Sequence, residues 1–157
     1  MTNILAVAET IARNAHSGQL YGGKDYVAAH VIPIVSTINR LGYNDLHQAA
    51  GWLHNTIEDT KVTADLLKRY GIPTQVICAV QTMTKHASES HNAYLQRVLS
   101  NPMSIVVKFV DSSINLANTL LNSSDMNVAD FRQLTDEYTR NIAVLRPRLP
   151  SPYTVIG

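Results

Sequence analysis

An all-α, single-domain bundle of about seven or eight helices is the architecture this sequence predicts. Three observations point to it. Apolar residues recur at helical spacing along nearly the whole chain, no period-two alternation is sustained, and 157 residues with a 45% hydrophobic share suffice for one core and scarcely for two. The apolar share also excludes a disordered tail or linker. Thirteen basic and twelve acidic side chains leave a net charge of +1, so nucleic acid held by bulk electrostatics is not an expected partner and any anion must be held by a local pocket. The lone Cys78 excludes an intramolecular disulfide framework and a thiolate zinc cluster. No run approaches the roughly 20 apolar residues that span a bilayer. The start, MTNILAVAETIARNAH, carries an acid at Glu9 and no basic leader. No membrane is therefore expected, and a cytoplasmic location is the default.

The elements follow in order. Ile4, Val7, Ala8, Ile11, Ala12 and Ala15 form the apolar stripe of a first helix. SGQLYGGK, residues 17–24, interrupts it with three glycines and reads as a loop. Apolar residues resume from Tyr26 to Leu41 and stop at Gly42, while Pro33 inside the run puts the helix start near His30. Asp45 is the expected N-cap of a third helix through Leu46, Ala49, Ala50, Leu53 and Ile57. Thr63 is the expected cap of ADLLKRY, which Gly71 ends, and Thr74 that of QVICAVQTM. The polar KHASESH reads as a loop before a helix near Asn92–Leu99. Pro102 opens MSIVVKFVDSSINLANTLL. Its β-branched SIVVKFV suits a buried strand, but Ile114, Leu116, Ala117 and Leu120 continue the helical period and favour one long helix. NSSDMN connects to a last helix, Val128–Leu145, which RPRLPSP cannot continue. The predicted organisation is a domain over 1–145 and an extended C-terminal tail over 146–157.

The densest polar cluster runs from Trp52 to Thr60 and holds His54, Asn55, Glu58 and Asp59. On a continuous helix His54 and Glu58 share one face, and Asn55 and Asp59 the adjoining one. Imidazole and carboxylate both ligate divalent metals, and a carboxylate off the metal can orient a water. The same spacing suits, more simply, a solvated helix end. Asp111 follows Ile105, Val106, Val107, Phe109 and Val110, where a buried carboxylate requires a cation, a metal or several donors. Capping a neighbouring helix would also satisfy it. Asn115 lies one turn later on the same face. His30 sits among Val27, Ala28, Ala29, Val31 and Ile32. A satisfied core histidine is the commoner reading there, yet two His and an Asp from separate helices are how bundles build metal sites. His16, His47, His86 and His91 follow no pattern and read as surface or loop. The glycine pair lacks P-loop spacing. Tyr21 and Lys24 beside it can contact a phosphate or a base, though loop lysines are commonly just solvated.

The segments AHSGQLYGGKDYVAAH, AAGWLHNTIEDT and VVKFVDSSINL, in that order, resemble the hydrolase domain of RelA/SpoT homologues. The nearest in size are the stand-alone small alarmone hydrolases of the HD metal-dependent phosphohydrolase superfamily. Their pattern is A-H-x-G-Q, P-Y-I-x-H-P, A-A-x-L-H-D-x-V-E-D-T and V-K-x-A-D-x-x-x-N. Tyr70-Gly71 stands for a usual Phe-Gly, and Met83-Thr84-Lys85 for Val-Thr-Lys. The resemblance implies an all-α bundle of the HD-domain type. It implies one divalent ion, typically Mn2+, on His30, His54, Asn55 and Asp111, and a pair, Glu58 and Asp59, that handles the attacking water. Asn115, with Tyr21 and Lys24, would face a small-molecule nucleotide. The implied reaction removes the 3′-diphosphate of guanosine tetra- or pentaphosphate, (p)ppGpp, or of the adenosine counterpart, (p)ppApp.

Departures from the pattern carry their own implications. Asn55 stands where the family has Asp, so the metal should be weakened or absent and hydrolysis impaired. Such an amide suits an alteration that traps an inactive complex, or a native protein that binds a nucleotide without cleaving it. A third reading is an HD phosphohydrolase acting on a different nucleotide. Tyr21 replaces a frequent arginine near the nucleobase, Asp25 replaces Pro, and His30-Val-Ile-Pro replaces His-Pro. The last helix and the tail carry no motif, and an oligomer interface there stays open.

Overall fold

The computed structural model describes residues 3–153. The chain is all-α apart from one small hairpin. Helix α1 (Ile4–Ala15) leads to strands β1 (Leu20–Tyr21) and β2 (Lys24–Asp25), then to a π-helical turn (Val27–Val31) that runs into α2 (Ile32–Arg40). There follow α3 (Asp45–Leu53), α4 (Thr56–Asp59), α5 (Ala64–Arg69), α6 (Thr74–Met83), α7 (His91–Leu99), α8 (Pro102–Leu121) and α9 (Val128–Leu145). Short 3-10 turns occupy Ser123–Asp125 and Arg146–Arg148. No helix among the described residues is long and apolar enough to cross a membrane.

Helix starts are set by short polar side chains that accept the first free N–H groups. Asn3, Asn44, Asn101 and Asn127 do so, as do Thr63 and Ser90. Two expectations are corrected here. Asn44, not Asp45, caps α3, because Asn44 holds the extended backbone while Asp45 is already inside the first turn, where its charge favours the helix dipole. Thr74 is likewise inside α6, behind Pro73, and makes no side-chain cap.

The segment read as a plain loop is a hairpin, with Leu20 opposite Asp25 and Tyr21 opposite Lys24. Gly22 and Gly23 turn it at φ +57° and +79°, the left-handed pair a two-residue hairpin turn requires. Next comes the π turn. Four steps separate Tyr26 from His30, against three in Tyr-Ile-x-His, and a π turn is how a helix absorbs one extra residue. It leaves His30 buried.

Helix α3 is the centre of the bundle. Every residue from His47 to Leu53 is buried, and α1, α2, α6 and α8 pack around it. Gly51 permits the closest approach, since a Cβ there would lie 2.9 Å from Ile38 Cδ1. Helix α8 runs alongside and joins the main core to a smaller cluster of Tyr94, Val98, Ile105 and Leu145. The stretch expected to be an extended tail instead folds back. Arg146–Arg148 form a turn, Leu149 packs on both clusters, and the Pro150 carbonyl accepts the Tyr43 hydroxyl at 2.7 Å. Residues 154–157 of that tail lie outside the described residues.

Candidate metal centre

Three separate elements deliver His30, His54 and Asp111 to one buried point. His30 comes from the π turn, His54 from the C-terminal end of α3, and Asp111 from the middle of α8. One ligand atom from each lies within 4.8 Å of the other two. Asp111 Oδ1 is 3.2 Å from His30 Nε2 and 3.6 Å from His54 Nε2.

The protonation pattern follows from the hydrogen bonds. His54 Nδ1 lies 2.8 Å from the Gly51 carbonyl, which can only accept, so Nδ1 carries the proton and, in the neutral ring, Nε2 carries a lone pair. That lone pair is buried, has no hydrogen-bond partner and faces a carboxylate oxygen. Two electron-rich atoms in that position are stabilised by a cation between them. The Gly51 bond is also the outer support that metal-ligating histidines use to fix ring and tautomer. His30 Nδ1 is a second buried atom without a partner, and burial lowers the His30 pKa, which favours the neutral, ligand-competent ring. Two imidazoles and a carboxylate therefore fit a divalent ion with a position left open.

Asp111 is held from its other side by α8 itself. Lys108 Nζ donates to Oδ2 at 2.8 Å, and Asn115 Nδ2 donates to Oδ1 at 3.1 Å. These residues lie three and four positions away, on one helix face. Burial works to raise the Asp111 pKa, but the Lys108 ammonium beside it holds it well below the carboxylate range. Burial likewise works against the Lys108 charge, and Asp111 and Tyr94 hold its pKa above the usual lysine value.

The remaining expected site residues divide. The helix expected to run through Ile57 breaks at His54-Asn55, between α3 and α4, so the two carboxylates do not simply continue the faces of His54 and Asn55. Asn55 Nδ2 donates to the Tyr26 hydroxyl at 2.7 Å, which leaves its amide oxygen as the free end. Glu58 Oε1 accepts the Lys85 N–H at 2.6 Å. Asp59 lines a 660 Å³ cavity with Asn14, Gln19 and Lys61. Tyr21 and Asn115 are bound to each other. The Tyr21 hydroxyl donates to Asn115 Oδ1 at 2.7 Å and accepts from Asn118 Nδ2 at 3.1 Å, and its ring stacks on His30 at 4.7 Å. Exposed Lys24 lines a 350 Å³ cavity beside it with Tyr21, Gly22 and Asn118.

Two histidines expected at the surface are buried. His16 puts Nδ1 2.7 Å from Gln19 Oε1 and packs its ring 4.5 Å from Tyr26, so the site's wall extends to α1. His47 bonds its own cap residue, Asn44, at 2.8 Å. His91 is half-buried against Asn141, and His86 is exposed as expected. Read singly, Lys108, Tyr26 and Asn118 carry no site signal, and His16 reads as surface or loop. Lys108, His16 and Gln19 stood in quoted motifs, and that was the signal available. Tyr138 on α9 has a pKa pushed up to about 12 by burial and then by the charge of Asp111.

Neither a protein-family model nor a curated protein matches the sequence. Solved structures do match the fold. One comes from work showing that a metazoan orthologue of SpoT hydrolyses ppGpp and acts in starvation responses. It superposes with a TM-score of 0.79 at 16% identity, over 97% of this chain and 90% of that one. The fold is therefore that of this hydrolase structure.

Proposed function

We propose that the chain is a divalent-metal phosphohydrolase scaffold for alarmone nucleotides, built to remove the 3′-diphosphate of (p)ppGpp or (p)ppApp and impaired in that reaction by Asn55. One observation carries the reading: the buried, unpartnered Nε2 lone pair of His54 aimed at Asp111 Oδ1 from 3.6 Å, with His30 Nε2 at 3.2 Å on the same oxygen. Such a triad suits a divalent cation, and the fold it sits in is shared with a ppGpp hydrolase.

In this reading His30, His54 and Asp111 hold the ion, and the amide oxygen of Asn55 stands in for the carboxylate of the family pattern. A bound ion polarises a phosphoryl oxygen and makes a water more acidic. Glu58 and Asp59 would orient the attacking water and take its proton, and the Lys85 N–H fixes one Glu58 oxygen, which leaves the other for that role. Tyr21 and Lys24 border the cavity that would take the nucleotide, and Asn115 accepts the Tyr21 hydroxyl beside it. The partner is a small-molecule nucleotide in the cytoplasm. Mn2+ is the ion the family pattern implies, and the loss of one carboxylate leaves it weakly held.

A second reading, a protein that binds a nucleotide without turning it over, is favoured by the same Asn55. Asn55→Asp decides between them. The variant should release pyrophosphate from guanosine or adenosine tetraphosphate when Mn2+ is supplied, well above the unaltered chain. Binding without release in both forms supports the second reading. Cleavage of other nucleotides only would assign the scaffold a different substrate.

A further inference from the structure

We infer that this site selects a borderline, imidazole-seeking divalent ion, with Zn2+ the type case, over Mn2+. The inference rests on the metal-site reading above and goes beyond it to the identity of the ion. The argument is one of charge. Imidazole ligates a metal as the neutral ring, so the only charge the set of His30, His54 and Asp111 offers is that of Asp111. That charge is already opposed by the Lys108 ammonium, 2.8 Å from Oδ2. Position 55 supplies an amide whose nitrogen is committed to Tyr26. Neither Glu58 nor Asp59 belongs to the cluster of close ligand atoms. Glu58 Oε1 is bonded to the Lys85 backbone, and Asp59 faces a cavity toward Asn14, Gln19 and Lys61.

The ligand set thus carries one negative charge with a positive one in contact. Hard ions such as Mn2+ and Mg2+ are held mainly by carboxylate charge and a full oxygen shell. An ion that bonds strongly to imidazole depends on that charge less, and two His with one carboxylate and an open position is a sufficient set for zinc. The Gly51 carbonyl strengthens this by fixing the His54 ring through Nδ1, so that Nε2 is the atom presented to an ion.

Most nitrogen–oxygen sites rank zinc above manganese, so the test reads how the ranking changes when the carboxylate is restored. Metal-free full-length chain, Asn55→Asp, Asp111→Ala and His54→Gln are titrated with Mn2+ by calorimetry and with Zn2+ against a chromophoric chelator. The unaltered chain should take one Zn2+, and both Asp111→Ala and His54→Gln should lose it. Having two such variants guards against one that fails to fold. Asn55→Asp should tighten Mn2+ by about tenfold or more and Zn2+ by distinctly less. Equal tightening of both ions overturns the charge argument. So does Mn2+ bound by the unaltered chain as tightly as Zn2+, or Zn2+ retained by both ligand variants. Pyrophosphate release is measured alongside. If the metal pattern is as expected and no variant cleaves a tetraphosphate nucleotide, the alarmone reading fails and the metal preference stands.

Discussion

Asp111 is paired through one oxygen with Lys108 and turns the other toward the imidazoles of His30 and His54. Removing one partner of a buried pair costs more than the pair contributes, because the other charge is left uncompensated. Lys108→Met should therefore lower stability by about 3 kcal/mol in the presence of a chelator. Saturating Zn2+ should recover much of that loss by binding only the folded state. Urea unfolding with and without the metal reads both; no extra metal stabilisation in the variant would mean that Asp111 is not a ligand. A second expectation concerns Glu58. On top of Asn55→Asp, Glu58→Gln keeps a carbonyl oxygen for the Lys85 N–H and removes only the base, so kcat should fall more than KM rises. Equal losses in both would argue against water activation. Asp111 was legible because a carboxylate in SIVVKFVD contradicts its apolar neighbours. Lys108 was not, since one lysine in such a run reads as a snorkelling side chain until its partner is located. His16 and His47 were invisible for another reason. Their burial comes from Tyr26, ten residues on, and from the packing of α3, neither of which leaves a local pattern.

The elements that matter most to the site are the irregular ones: a π turn that supplies His30, a break between α3 and α4 after His54, and a six-residue hairpin that lays Tyr21 on His30. Each is too short to impose a period, which is why 17–31 and 54–59 were the least legible stretches. Helices α8 and α9, by contrast, were legible to the residue, because Pro102 and NSSDMN delimit long apolar periods. Gly51 shows how closely this arrangement is packed. Its α-carbon is where α3 meets α2, and an added methyl would reach 2.9 Å from Ile38 Cδ1 and 3.4 Å from Val35 Cγ2. Alanine gains about 1 kcal/mol of helix propensity over glycine. Overpacking costs about 1–3 kcal/mol, so Gly51→Ala should be net destabilising by about 1 kcal/mol. Ile38→Val removes the offending Cδ1, so the double variant should be more stable than the sum of the single changes. A double-mutant cycle from urea midpoints measures this, and strict additivity would show that α2 shifts rather than clashes.

At the scale of the whole molecule, stability against acid is set by groups far apart in the bundle. His16 and His47 are both buried, and burial lowers each pKa from the ordinary 6.5. The folded chain thus refuses a proton that the unfolded chain accepts below pH 6.5. The unfolded state binds more protons there, and stability falls as the pH drops through that range. Glu89 acts in a lower window. Arg97, bonded to its two oxygens at 3.0 and 2.7 Å, pulls its pKa down from 4.5 to about 2. Its contribution is complete above pH 4.5 and is lost as the pH falls toward 2. Acid unfolding should therefore have two limbs, one opening near pH 6.5 and one below pH 4.5. Urea midpoints measured from pH 8 to pH 3, with a chelator present, would resolve them. His47→Gln should make the first limb shallower and leave the second, while Arg97→Met should make the second shallower and leave the first. Arg97 also donates to the Gln81, Thr82 and Thr84 carbonyls at the end of α6. Arg97→Met should accordingly lower the plateau above pH 6.5 as well as weaken the lower limb, to which the depressed Asp111 still contributes, whereas His47→Gln should change mainly the slope. A stability that rose between pH 7.5 and pH 5.5 would contradict the neutral, buried state of the two histidines.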